Sequence, residues 1–381
     1  MGPTSIIFTG DIGFDKYMTG KWADEALLSP EILTFLQSAD HVAANVEGAL
    51  MTPQDGAGQF CHTMDPGAVQ FLQTIGADLW CIGNNHIMDA GLPGLQNTQM
   101  LAEQKGCRTF GAGEDLSQAS APVYLPEAGG IGLVSVSYEP DCPPAGKHTP
   151  GTLSWDDFDT IKTVIGEIKQ KCRWCIVVAH GGEEFADLPM PYVRQRYHRY
   201  LALGADIVVG HHPHVVENYE YVGDKAIFYS LGNFVFDTDY QRAQLYTDRG
   251  VLLRMTFSEE SFSFDALGMQ LDRTAGRLSA GSVPAVFTEV DARAYDALLP
   301  LAARAFLAAE QRRMRYLEPE KYTGAGEGVW NAYFSDPHRE DYVPGAHMEF
   351  GVICPLAAQE AAVDTGKTAV EQYLSARLEE I

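Results

Sequence analysis

Positive charge is what this chain has least of: 27 lysines and arginines stand against 51 aspartates and glutamates, a formal net charge of −24. Such a surface repels nucleic-acid phosphates and anionic lipid headgroups, so neither nucleic acid nor a membrane is expected as a partner. An anionic substrate would need a local positive centre. Also missing is any apolar run of membrane-spanning length, and the opening MGPTSIIFTGD has neither a basic start nor a small-residue cleavage site. The expectation is a soluble, cytoplasmic protein. The seven cysteines are an odd number scattered through apolar runs (Cys81, Cys175, Cys354), which suits reduced core thiols better than a disulfide framework. Cys172 and Cys175 in KCRWC have redox or zinc spacing, but no second such pair accompanies them, so they too are read as core. Neither an internal repeat nor a low-complexity segment interrupts the chain.

What is present is apolar residue in abundance, 46% of 381 residues, enough for one large domain with an appendage or for two domains. Short apolar or β-branched runs recur with helix-like segments between them: SIIFTG (5–10), HVAANV (41–46), DLWCIG (78–83), IGLVSVSY (131–138), WCIVVA (174–179), DIVVG (206–210) and AIFYSL (226–231). This is α/β alternation. A helix is expected to open at Asp65-Pro66, and another to run from Met190 to Leu203 and stop at Gly204. VLLRMTF (251–257) and SFSFDAL (261–267) read as a closing hairpin. From about Pro284 the periodicity becomes helical, which sets an expected boundary between a catalytic domain, 1–283, and a C-terminal helical extension, 284–381.

The polar residues fall at the ends of these runs. Asp11, Glu47, Asn84-Asn85-His86, His180, His211 to His214, and Asn233 each follow one of them. In open α/β sheets the carboxyl ends of strands face a common crevice, so groups far apart in sequence can converge there. Singly, each has a plain structural reading: a carboxylate at a strand end caps or turns, asparagine tolerates left-handed backbone, and a histidine beside Gly181-Gly182 sits satisfied in a core. VGHHPHV (209–215) is harder to explain that way. An extended His212-Pro213-His214 would project both imidazoles to one side, with His211 facing away. Imidazoles, carboxylates and a carboxamide together suit Mn, Fe, Zn or Co rather than Mg or Ca.

The ordered series GD (10–11), NVE (45–47), GNNHIMDAG (83–91), HGGEEF (180–185), GHHPHV (210–215) and YSLGNFVFD (229–237) resembles the bacterial capsule synthesis protein family, associated with poly-γ-glutamate, of the calcineurin-like metallophosphoesterase superfamily. The resemblance implies a sandwich of two mixed β-sheets flanked by helices, with a dinuclear metal centre at the strand ends. By that resemblance Asp11 and His214 would hold one ion, Asn85, His180 and His212 the other, and Glu47 would bridge them. His86 would serve the leaving group as a catalytic residue. Gly13 stands where the wider superfamily places a further histidine, so the first site would bind weakly. Gly181 stands where the family commonly has tryptophan, which would open or reshape the pocket.

Other candidates come from position. Glu184, grouped with the catalytic residues, and Asp89 lie one turn from ligands and could orient an imidazole. His62, Asn233 and Arg194 are substrate-binding candidates, although Arg194, Arg196 and His198 on one helix could equally form a solvated face. The aromatic stretch 322–334 could cap the site or dock the extension. The resemblance implies phosphoester hydrolysis by a hydroxide shared between two divalent ions. Two alternatives stay open: amide hydrolysis or transfer on a glutamyl polymer, and a non-catalytic metal-binding protein.

Overall fold

A computed structural model describes residues 2–52, 61–138 and 142–317. The aromatic stretch 322–334 and the helix expected to end at Ile381 lie outside the described residues. Strands β1 (Thr4–Ile12), β2 (His41–Val46), β3 (Leu79–Cys81) and β4 (Arg108–Phe110) are followed by β5 (Val123–Leu125), β6 (Ile131–Ser137), β7 (Trp174–His180) and β8 (Ile207–His211). Then come β9 (Tyr219–Val222), β10 (Lys225–Phe228), β11 (Asn233–Val235), β12 (Arg249–Phe257), β13 (Phe262–Asp272) and β14 (Arg277–Gly281). The helices that matter here are α1 (Pro30–Gln37), α2 (Val69–Thr74), α3 (Gly91–Gln104), α4 (Phe158–Lys171), α5 (Pro191–Leu203) and α6 (Ala292–Leu317).

Two large mixed sheets result. The eight-stranded sheet runs β14-β13-β12-β1-β2-β3-β4, with β11 added beside the end of β1; the six-stranded sheet runs β9-β10-β8-β7-β6-β5. Their centres are parallel, β1 to β4 in one and β6, β7, β8 and β10 in the other, whereas β12 to β14, β9 and β5 pair antiparallel. Period-two alternation decides which side chain faces which layer. Ile6 and Phe8 meet Ile176, Val178 and Val209 in the core between the sheets. Ile7, Val42 and Trp80 face the other way, onto Ile32 of α1, Phe71 of α2 and Leu95 of α3. Val177 and Val208 face Ile161 and Ile165 of α4 and Tyr197 of α5. Helix, sheet, sheet, helix is therefore the layer order, the expected sandwich.

Local expectations fare differently. Asp65 caps a short 3-10 turn, its side chain accepting from the Gly67 amide, and the chain runs on into α2. Gly204 ends α5 at a φ of 120°, which favours glycine. Helical periodicity from Pro284 begins too early. Residues 284–291 turn instead, the Tyr219 amide donating to the Thr288 carbonyl, and Val286 and Phe287 enter the core between the sheets before Asp291 caps α6. The extension is thus stitched to the sandwich from its first residues. Cys175 is buried, and burial pushes its thiol up to about 12; it and Cys172 are free. Among the described residues no helix is long and apolar enough to cross a membrane.

The glycine that opens the histidine motif is fixed by crowding. A Cβ on Gly210 would sit 1.9 Å from the Tyr229 carbonyl oxygen, and that backbone cannot retreat without breaking β8 from its neighbours. Gly210→Ala is expected to cost about 3 kcal/mol or more in unfolding free energy; a melting point within about 2 °C of wild type would contradict this.

Candidate metal centre

The carboxyl ends of five parallel strands, three from one sheet and two from the other, supply the site. Asp11 lies near the end of β1, flanked in register by Asn45 of β2 and Asn233 of β11. Glu47 follows β2 directly, Asn84 and Asn85 follow β3, and His180 and His211 are paired last residues of β7 and β8. After His211 the chain leaves the extended region: His212 has a φ of 95° and His214 a φ of 57°. Two non-glycine residues held in left-handed backbone around Pro213 are strained, and such strain tends to be kept where function needs it. The expected extended His-x-His geometry is therefore corrected. The turn sets the two rings 6.1 Å apart and tilted by 43°.

All these groups are buried. Asp11 accepts from the Asn45 carboxamide at 2.7 Å and lies 3.0 Å from His211 Nδ1 and 3.3 Å from His214 Nδ1. His214 turns Nε2 to Glu47 at 3.5 Å. His180 Nε2 stands 3.0 Å from the Asn85 oxygen, and its ring is 5.1 Å from that of His212. One ligand atom each from Asp11, Glu47 and His180 fall within 4.8 Å of one another, a group able to hold a metal ion.

The electrostatics suit a bound cation. Among the described residues, neither oxygen of fully buried Glu47 finds a hydrogen-bond donor, and His212 Nδ1 and the Asn45 oxygen are also without a partner. Burial, with the Asp11 charge adding to it and His214 opposing, pushes the Glu47 carboxyl well above its ordinary range. Burial also acts on Asp11, but the hydrogen bonds of His211 and His214 outweigh it and hold that carboxyl well below its ordinary range. His212 is lowered to about 4 by burial, and His180 is lowered well below the usual histidine range by the same cause. His214 goes the other way: the carboxylates of Glu47 and Asp11 overcome burial and raise it to about 10. A buried carboxylate without donors is costly, and neutral imidazoles beside it are ready lone pairs. A divalent ion would satisfy both. The residues present fit a metal.

The remaining sequence candidates divide. His86 gives Nδ1 to Asp89 at 2.9 Å, and Asp89 also accepts the His62 backbone amide at 2.7 Å. The His62 ring is 4.2 Å from that of His86, with its own Nδ1 2.9 Å from Asp15. Two imidazole–carboxylate pairs thus sit face to edge beside Asn85, whose amide nitrogen is 3.2 Å from His86 Nε2. Glu184 reaches within 4.0 Å of His214 Nε2 and accepts from the Tyr240 hydroxyl. Asn233 has a different task from the one expected. Its oxygen meets His214 Nδ1 at 2.9 Å and its nitrogen donates to Gln241 and the Thr247 carbonyl, so it positions the His214 ring. Arg194 is engaged elsewhere, binding the buried Glu220 with two nitrogens while Tyr229 and His198 approach the same carboxylate.

Three further features escaped the sequence reading. His211 does not face away; its Nδ1 on Asp11 makes it part of the site, because the strand pairing that aligns it with His180 turns its ring inward. Asn45 stood inside the NVE motif, and period two from Glu47 placed it on the same side. Trp155 comes from a distant loop and corrects the expectation of an opened pocket at Gly181. A Cβ there would lie 2.6 Å from the Trp155 ring and 2.6 Å from Tyr138 Cβ, so the space is already filled.

Fold and site together define an α/β sandwich with a candidate metal-binding group where its sheets' strands end. The bacterial capsule synthesis protein family PGA_cap matches residues 5–238, and the chain belongs to that family. The PGA biosynthesis protein CapA of Bacillus subtilis (strain 168) is 31% identical over 251 residues, 63% of this chain and 65% of that one. The capsule biosynthesis protein CapA of Bacillus anthracis is 29% identical over 223 residues, 55% of this chain and 54% of that one. The match spans less than two thirds of either relative. Among solved structures, a hypothetical protein from Thermus thermophilus aligns with a TM-score of 0.42 and 14% identity over 70% of this chain and 99% of that one.

Proposed function

We propose that this protein is a metal-dependent hydrolase of a small anionic phosphoester, with two divalent ions, Mn, Fe or Zn, at the strand ends. The observation that carries the reading is Glu47, a buried carboxylate without a hydrogen-bond donor inside the group formed with Asp11 and His180. Asp11 and His214 would hold one ion, Asn85, His180 and His212 the other, and Glu47 both. Bound ions there supply Lewis acidity and an activated water.

The chain's own side chains do the rest. Asp89 holds His86 Nδ1, so Nε2 is the atom presented to a leaving-group oxygen. Burial lowers the His86 pKa, and its imidazolium therefore releases a proton readily. Asp15 orients His62 beside it, where an imidazole can meet a substrate oxygen. His211, Asn45 and Asn233 fix Asp11 and His214, the positioning that outer partners give metal ligands.

The names of the relatives favour a second reading on the same centre. One is a PGA biosynthesis protein, and another, 29% identical over 189 residues, is the probable polyglutamine synthesis accessory protein of Mycobacterium tuberculosis. In that reading the substrate is a glutamyl polymer and the bond an amide. Phosphomonoesters, phosphodiesters and γ-glutamyl amides given to chelated and Mn-reloaded protein separate the two. Metal-dependent phosphate release is expected; silence on every ester with amide cleavage would replace the first reading by the second.

A further inference from the structure

Helix α6 lies beyond the matched residues 5–238, yet its C-terminal half reaches the candidate centre. Ala309 is buried in a small cluster with Phe185 and Val215, the neighbours of Glu184 and His214. Tyr316 lays its ring 5.6 Å from that of Tyr240, whose hydroxyl donates to Glu184. Phe185 bridges the two, 5.3 Å from Tyr240 and 6.3 Å from the His214 ring. Ala309, Arg313 and Tyr316 are i, i+4 and i+7 on one helix, so Arg313 shares the face that meets Phe185 and Tyr240. The Arg313 charge acts on the Glu184 carboxylate. In a site built from Asp11, Glu47, Glu184 and Asp15, that guanidinium is a cation brought from outside the matched domain.

We propose that the C-terminal half of α6 forms one wall of the centre and that Arg313 determines specificity there, receiving the distal carboxylate of a substrate whose reacting group lies at Asp11, Glu47 and His180. The five N–H donors of a guanidinium allow it to lie beside Glu184 and still fork onto an incoming carboxylate, which a lysine would meet only as a point charge. This rests on the reading of the centre as a site for anionic substrates.

The test is calorimetric binding to the full-length, Mn-loaded protein of two inert probes, methylphosphonate, which has only the head group, and phosphonoacetate, which adds a carboxylate. Wild type is expected to bind phosphonoacetate roughly tenfold more tightly. Arg313→Gln should erase that difference while leaving methylphosphonate affinity and metal content within about twofold, and Arg313→Lys should keep part of it. A Gln variant that retains the preference, or weakens both probes equally, overturns the proposal. Failure of both probes to bind wild type would instead overturn the reading of the metal centre, and the proposal with it; a wild type that binds phosphonoacetate no more tightly than methylphosphonate overturns the proposal alone.

Discussion

Glu47→Gln is expected to cost more than about 100-fold in metal affinity, beyond the loss produced by outer-shell changes, while making the metal-free protein more stable by about 1 to 3 kcal/mol. The two effects have one cause. Glu47 is fully buried, accepts no hydrogen bond and has its nearest opposite charge on His214 at 3.5 Å. Without a cation it is a burial cost that the fold tolerates; with one it becomes a ligand to the ion. Glutamine keeps the shape and removes the charge. Thermal unfolding of chelated and metal-loaded protein, read beside metal titration, checks both halves: a variant less stable than wild type without metal, or as tight for metal with it, contradicts the account.

The second large effect separates neighbours in the histidine motif. His212→Ala should abolish tight metal uptake, because a candidate ligand 5.1 Å ring to ring from His180 disappears. His211→Ala should weaken uptake by roughly 10- to 100-fold, the scale of lost support behind a ligand, since the 3.0 Å contact between its Nδ1 and Asp11 holds that carboxylate in place. Metal titration of the two variants orders them. An unchanged affinity for His211→Ala would mean that Asn45 and His214 suffice to position Asp11.

Much of this was legible from residue patterns because the constraints are local. Strand runs such as HVAANV and WCIVVA read directly, since burial on both faces leaves continuous apolar stretches. The convergence of Asp11, Glu47, Asn85 and His180 followed from their places after strands. The failures share a different origin. The left-handed turn at His212 and His214 is imposed by tertiary packing, which no local propensity announces. Asn233 looked like a substrate contact because it follows a strand, but its partners Gln241 and Thr247 come from a later short helix and the loop after it. Trp155 fills the space at Gly181 from a separate loop before α4, and α6 meets Phe185 from further still. Contacts of that range are invisible to spacing.

The most direct measurement is anomalous X-ray scattering from crystals of the Mn-loaded protein, collected on both sides of the manganese edge. The account predicts strong anomalous density among Asp11, Glu47 and His180, with a second peak toward Asn85 and His212. Well-ordered side chains there with no anomalous density would contradict it.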